Sequence, residues 1–308
     1  MSESNVILQP ITKKDKTLIV FPFLGEFGHE CFCWNGVVRK VARDFKETIV
    51  FGSPGKSDLY ADFASYAQID VPKHESECLI WKHFDKYRHE FDSIRKGVLD
   101  HCLTDLKLEK EMLSSFWLEN LPQSPISSAF YDLQEHHKIV PTGSSFLPTA
   151  GISDQAITDK VVTLCVRDRG LSTFRNWEAE NWIDLTRRLE GLGYCPVLIG
   201  SVGQEMQEAL SCLNYSLLNK TSINDCISIL SESALAVGGS TGTMHLASLC
   251  GTNHLVWGAD KNVIRYRETN WFNAKHKVVV SGWNPKASLI LDEVKFFMEQ
   301  DRFFGEQV

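Results

Sequence analysis

From residue 161 onward the chain alternates short apolar runs with stretches of helical spacing, and no other feature restricts its fold as much. The runs are Val161–Val166, Pro196–Gly200, Tyr215–Leu218, Ala234–Val237, His254–Trp257 and Lys277–Val280. Stretches at 178–190, 203–212, 223–232 and 242–250 carry apolar residues at helical spacing, and one more, about 286–300, follows the last run. Short apolar strands separated by helices make βαβ units, and such units build a parallel sheet covered on both faces. The run Ala234–Val237 leads into Gly238-Gly239-Ser240-Thr241-Gly242-Thr243-Met244-His245-Leu246-Ala247, which reads as strand, tight turn, helix. A turn of this kind presents backbone N–H groups at the positive end of a helix dipole and suits a phosphate. The same residues also fit a Gly-rich connection with a Ser or Thr N-cap.

The first half is less regular. Residues 17–23 form an apolar run ending in Leu24-Gly25, which predicts a buried strand. Residues 29–44 carry Phe32, Val37, Val38 and Val41 at helical spacing, and Phe45 follows them. Glu47–Phe51 predicts a second strand, closed by Gly52-Ser53-Pro54-Gly55, and 77–119 reads as mostly helices. The Pro, Ser and Gly signals at 120–159 mark the expected domain boundary. The expected layout is an α/β domain at 1–150, a nucleotide-binding α/β domain at 151–285, and a last helix at 286–308.

With 308 residues, 43% of them hydrophobic, the chain has ample core material and length for two domains. No apolar run is long enough to cross a bilayer, and the first ten residues lack the pattern of a signal peptide. The nine cysteines contain no CxxC pair and several fall inside apolar runs, the usage of reduced core thiols in a cytoplasmic protein. Cys31 and Cys33 have no matching His/Cys pair that would complete a metal site. A net charge of −7 opposes broad nucleic-acid binding. Lys82, Lys86, Arg88, Arg95 and Lys96 form a basic strip that leaves DNA open as a partner, although a solvated helix face explains the strip equally simply.

Ligands of open parallel sheets bind beyond the carboxyl ends of the strands, so the loops there should carry the chemistry. After the first strand stands Gly25-Glu26-Phe27-Gly28-His29-Glu30, with two carboxylates and a histidine at a helix start. Glu26 or Glu30 has the chemistry of a general base toward a hydroxyl, and either also serves as a charge on the helix dipole. After Val166, Arg167, Arg169 and Arg175 offer guanidinium groups for a diphosphate, while Asp168 is placed to pair with one of them. Gly200-Ser201 ends another strand and is either a nucleotide contact or a plain turn. The segment Arg265-Tyr266-Arg267-Glu268-Thr269-Asn270-Trp271 is rich in donors and aromatics that suit a binding cleft.

Val237 through Ala247, followed by Gly251-Thr252 and Trp257-Gly258, resembles the donor-binding motif of the ADP-heptose:lipopolysaccharide heptosyltransferases. Gly25-Glu26-Phe27-Gly28-His29 is similar to that family's Gly-Asp-x-x-His, and Arg175-Asn176-Trp177 to its Lys-x-Trp helix start. The resemblance implies a GT-B fold, two Rossmann-like domains facing a central cleft, with the last helix packing back toward the first domain. It implies metal-independent transfer of a hexosyl, heptosyl or pentosyl group from a nucleoside diphosphate sugar, with no cofactor. Glu26 falls where the family carries its base, with Glu30 as the other candidate and His29 beside it. Arg175 takes the donor phosphate, joined by Arg167, Arg169, Gly200, Ser201, Ser240, Thr241, Gly242, Thr243 and His245. The chain departs from the family at Ser240, where the family has Asp. The acceptor expected is a glycan, a lipopolysaccharide-like molecule or a hydroxylated base in DNA. The alternatives are a non-catalytic nucleotide-sugar or carbohydrate binder and a nucleotide-sugar 2-epimerase.

Overall fold

The computed structural model describes residues 13–71, 88–110, 113–116, 137–143, 160–170, 172–260, 263, 265–266, 272 and 274–305. They fall into two compact units that divide at His137/Lys138. Most of the Pro- and Ser-rich stretch at 120–159 lies outside the described residues, as do Lys82, Lys86, Arg267 and Trp271.

In the first unit, strands β1 (Lys13–Val20), β2 (Phe45–Gly52), β3 (Ser65–Gln68) and β4 (Leu113–Phe116) make a parallel sheet in the order β3-β2-β1-β4. Central β1 has Leu18, Ile19 and Val20 fully buried, which is what a continuous apolar run demands of a strand covered on both faces. From β1 the chain enters α1 (Phe27–His29), one π-helical turn (Glu30–Trp34) and α2 (Asn35–Ala42). This segment buries Cys31, Phe32, Cys33, Trp34, Val37 and Val38, and Trp34 stacks on Phe116 of β4 at 5.4 Å. Helix α3 (Arg88–Thr104) adds Phe91, Val98 and Cys102 to the core.

The stretch at 77–119 is therefore not all helix, because β4 lies within it. Leu-Ser-Ser-Phe has little strand propensity of its own, and its pairing with buried β1 supplies what the sequence lacks. Edge strand β3 left no signal either, since none of its residues is buried. Of the basic strip, Arg95 turns inward, its guanidinium 5.8 Å from the ring of buried Phe21.

The second unit holds β5 (Val161–Cys165), α4 (Ala179–Gly191), β6 (Cys195–Ile199), α5 (Gln204–Ala209), α6 (Ile223–Ser231), β7 (Leu235–Gly239), α7 (Gly242–Leu249), β8 (His254–Trp257), β9 (His276–Val279) and α8 (Ala287–Gly305). All five strands are parallel, in the order β6-β5-β7-β8-β9. The chain runs from β5 out to β6, then returns to lay β7 on the other side of β5. The strand order thus reverses between β5 and β7, the switch point where such sheets take ligands.

Tyr215–Leu218, read as a strand from its sequence, makes only one bridge, Ser216 to Leu198. Asn219 then adopts a left-handed backbone, donates through its N–H to the Gly200 carbonyl at 2.9 Å and bonds through its side chain to both main-chain polar groups of Val202. Trp177, Trp182 and Trp257 pack together with ring centroids 4.7–5.7 Å apart and anchor the core. Helix α8 packs on α4 and adds Ile290, Leu291, Val294, Phe297 and Met298 to that core. Cys165, Cys226 and Cys250 are buried free thiols, and burial pushes Cys226 up to about 11 and Cys250 to about 12. Among the described residues no helix is long and apolar enough to cross a membrane.

Candidate functional site

The turn between β7 and α7 is shaped by its glycines. A Cβ on Gly238 would stand 2.9 Å from the Cys165 carbonyl oxygen, so glycine is what allows β7 to end so close to β5. The backbone N–H of Ser240 donates to the Trp257 carbonyl at 2.9 Å, and Thr241 caps α7, its Oγ1 accepting from the Met244 N–H at 3.4 Å. The amides of Gly242 and Thr243 open the helix, so neither has an acceptor within it, and they face the positive end of its dipole.

Arg175 reaches this turn from the loop after β5. Its Nη2 donates to the Ser240 carbonyl at 2.6 Å, and its guanidinium lies 4.3 Å from the centre of the Trp283 ring. A short 3-10 turn, Thr173–Arg175, aims the side chain and is entered through a left-handed Ser172. Asn176 holds that loop together. Its Nδ2 donates to Asp168 Oδ1 and to the Arg169 carbonyl, both at 3.0 Å, while its Oδ1 accepts from the Arg169 N–H and from the Arg167 guanidinium. Arg167 is buried and also donates to the Ser172 carbonyl, so much of its hydrogen-bonding capacity goes into the loop itself. Asp168 Oδ2 accepts from the Gly203 N–H at 2.9 Å and ties the β5 loop to the β6 loop.

Gly200 ends β6 with a φ of +145°, and a Cβ there would come to 2.3 Å from the Val166 carbonyl oxygen. Ser201 follows it, exposed. On the other side of the turn, the Tyr266 hydroxyl donates to the Thr241 carbonyl at 3.1 Å and to Ser240 Oγ at 3.4 Å. Burial raises the Tyr266 phenol above its usual range and keeps it a protonated donor. Its ring stacks face to face on His245, with centroids 4.4 Å apart. Beyond Tyr266 lies His254, fully buried, its Nδ1–H donating to the Thr252 carbonyl at 3.0 Å and its Nε2 3.3 Å from Ser248 Oγ. Burial lowers its imidazole to about 4.

The second unit therefore brings Arg175, Ser240, Thr241, Gly242, Thr243 and His245 to one place at the switch point. Gly200 and Ser201 stand at the neighbouring strand end, beside the loop that carries Arg167 and Arg169. Trp283, Tyr266 and Asn176 complete the arrangement. Tyr266 and Asn176 fall in segments that the sequence marks, but nothing local tells that Trp283, over 100 residues after Arg175, closes over it.

In the first unit, Glu26 is the half-buried N-cap residue of α1, with its Oε2 3.5 Å from His29 Nδ1. Glu30 is buried in the π-helical turn. Its Oε2 meets the Lys56 ammonium at 2.5 Å and its Oε1 accepts from the Tyr60 hydroxyl at 3.0 Å. Burial, reinforced by the Glu30 charge, holds the Tyr60 phenol well above its usual range. Lys56 and Tyr60 escaped the sequence reading, because they lie in a loop more than 25 residues from Glu30. Among the described residues, no three His, Cys, Asp or Glu side chains converge as a metal site requires.

Residues 127–256 match glycosyltransferase family 9 (heptosyltransferase), a span that includes β5 to β7 and the turn after β7. No curated protein matches the sequence. Among solved structures, the E. coli ADP-heptose lipopolysaccharide heptosyltransferase II superposes with a TM-score of 0.53 at 13% identity, covering 93% of this chain and 99% of that one. The E. coli heptosyltransferase WaaC with ADP gives 0.53 at 12% identity, covering 92% and 99%. A family 9 glycosyl transferase from Veillonella parvula gives 0.52 at 12% identity, covering 92% and 90%. With two parallel sheets that match these structures over nearly its whole length, the chain has the GT-B fold, and its residues 127–256 are similar to glycosyltransferase family 9.

Proposed function

We propose that the protein transfers a sugar from a nucleoside diphosphate sugar to an acceptor hydroxyl without help from a metal ion. The observation that carries this reading is Arg175 closing on the Ser240 carbonyl at the N-terminus of α7. That contact brings the guanidinium to the N-terminus of α7, whose first turn holds Gly242 and Thr243. As the acceptor oxygen attacks the anomeric carbon, the bond from that carbon to the diphosphate oxygen breaks. The charge arriving on the diphosphate meets Arg175, the amides and the helix dipole, the role a bound cation plays in other transferases. Arg169 is the second cation of the site. Arg167 acts mainly by shaping the loop. Gly200 and Ser201 line the nucleoside side.

The acceptor proton passes to the Glu26 carboxylate, whose Oε2 lies 3.5 Å from His29 Nδ1. Glu30 is the weaker candidate base, because both its oxygens are already engaged. A hydroxyl on a glycan or lipopolysaccharide-like molecule is the acceptor we favour over a hydroxylated DNA base, since the chain is acidic overall. Buried thiols support a cytoplasmic location for the protein.

Calorimetry with ADP, UDP and GDP tests the donor site. At least one should bind the wild-type protein, and Arg175→Ala should weaken it by about 10- to 100-fold, as loss of a charge-assisted contact predicts. Equal affinity in the two proteins overturns the phosphate assignment.

A further inference from the structure

The loop that aims Arg175 also carries a large exposed apolar side chain, Phe174, with 63% of its surface open. A single exposed aromatic is ordinary. This one is part of an arrangement. Its ring meets Trp283 edge-on at 6.4 Å, and Trp283 in turn lies under the Arg175 guanidinium at 4.3 Å and against Gly258, where a Cβ would come to 3.1 Å of the indole. Arg175 and Gly258 thus hold Trp283 in place, and Phe174 is left with an open face beside the phosphate turn.

The strand order gives this face a direction. Gly200 and Ser201 end β6, the turn ends β7, and Trp283 follows β9, on the opposite side of the turn from Gly200. A donor with its diphosphate at the β5–β7 switch point and its nucleoside toward β6 sends its sugar toward β8 and β9. We propose that Phe174, backed by Trp283, is the platform on which a sugar ring packs. The C–H bonds on the flat side of a pyranose are polarised by the ring and hydroxyl oxygens, and they meet the electron-rich face of an aromatic ring favourably. Trp283 has one face covered by the guanidinium, so the pair forms no two-sided slot of the kind that grips a nucleobase. The inference rests on the donor assignment of Arg175 and the turn, and it adds the residue that selects for a sugar.

The test compares ADP, UDP and GDP with ADP-glucose, UDP-glucose and GDP-mannose by calorimetry, in the wild type, Phe174→Ala and Phe174→Tyr. Phe174 is exposed, so its removal leaves the fold intact. Failure of all six compounds to bind the wild-type protein sinks the donor assignment itself. Where a nucleotide binds, Phe174→Ala should leave its affinity unchanged and weaken the nucleotide sugar by about 3- to 10-fold, and Phe174→Tyr should restore it. That outcome assigns the platform to the transferred sugar. If the nucleotide sugar is unaffected, methyl glucoside, galactoside and mannoside are titrated onto the nucleotide-saturated protein while Trp fluorescence is followed. A glycoside response present in the wild type and lost in Phe174→Ala assigns the platform to the acceptor sugar. Equal weakening of the free nucleotide, or no change in either experiment, overturns the proposal.

Discussion

Arg175 does two jobs with one planar group. It stacks on Trp283 and it bonds to the Ser240 carbonyl. A lysine ammonium cannot lie flat on an indole and donate sideways at the same time, so Arg175→Lys should recover only part of the nucleotide affinity lost in Arg175→Ala. Calorimetry of the two variants side by side checks this. His254 shows another effect of placement. Its imidazole is held at about 4 in the folded protein by burial, against an ordinary value near 6.5. Between those values the unfolded chain binds the proton and the folded chain does not, so stability rises with pH across that window. The contribution is complete above about pH 6.5 and is lost as pH falls toward 4, amounting to about 3 kcal/mol. An NMR titration of the His254 ring should show it neutral at pH 5.5. A midpoint near 6.5 would refute the assignment.

At the scale of elements, Gly200 shows how little freedom the site's strand ends have. Its φ of +145° and the 2.3 Å approach to the Val166 carbonyl leave no room for a side chain, and the obstacle is backbone that cannot step aside. Gly200→Ala should cost about 2–4 kcal/mol, read as a lower urea midpoint. Much at this scale was legible in the sequence. The apolar runs located β1, β2 and β5 to β9, and α4 to α8 lie where helical spacing predicted them, each within a residue or a few at its ends. The misses share a cause. β3 and β4 hold four residues each, and without a buried apolar run only their partners in the sheet define them. The turn at 238–243 could be read because glycine spacing is local. The Asn176 hub and the Trp283 lid depend on side chains that meet only after the sheet has formed, and no local pattern announces them.

For the whole molecule, the proposed reaction draws its base from one unit and its donor site from the other. Glu26→Gln should therefore lower kcat by about 10²- to 10⁴-fold while nucleotide affinity stays at the wild-type value. Glu30→Gln should differ in kind. It leaves the Lys56 ammonium and the Tyr60 hydroxyl short of their partner, so the loss should appear first in thermal stability. Full turnover by Glu26→Gln on a natural acceptor would move the base elsewhere. The buried thiols have a further use. Cys212 is exposed and open to an alkylating reagent at any time, whereas Cys31, Cys33 and Cys102 in the first unit and Cys165, Cys226 and Cys250 in the second react only while their surroundings are open. Each unit thus carries its own chemical clock of breathing, readable by mass spectrometry one cysteine at a time. A nucleotide seated on the second unit should slow that unit's clock and leave the first unit's running at its old rate, so a single labelling time course would report which half of the chain holds the donor.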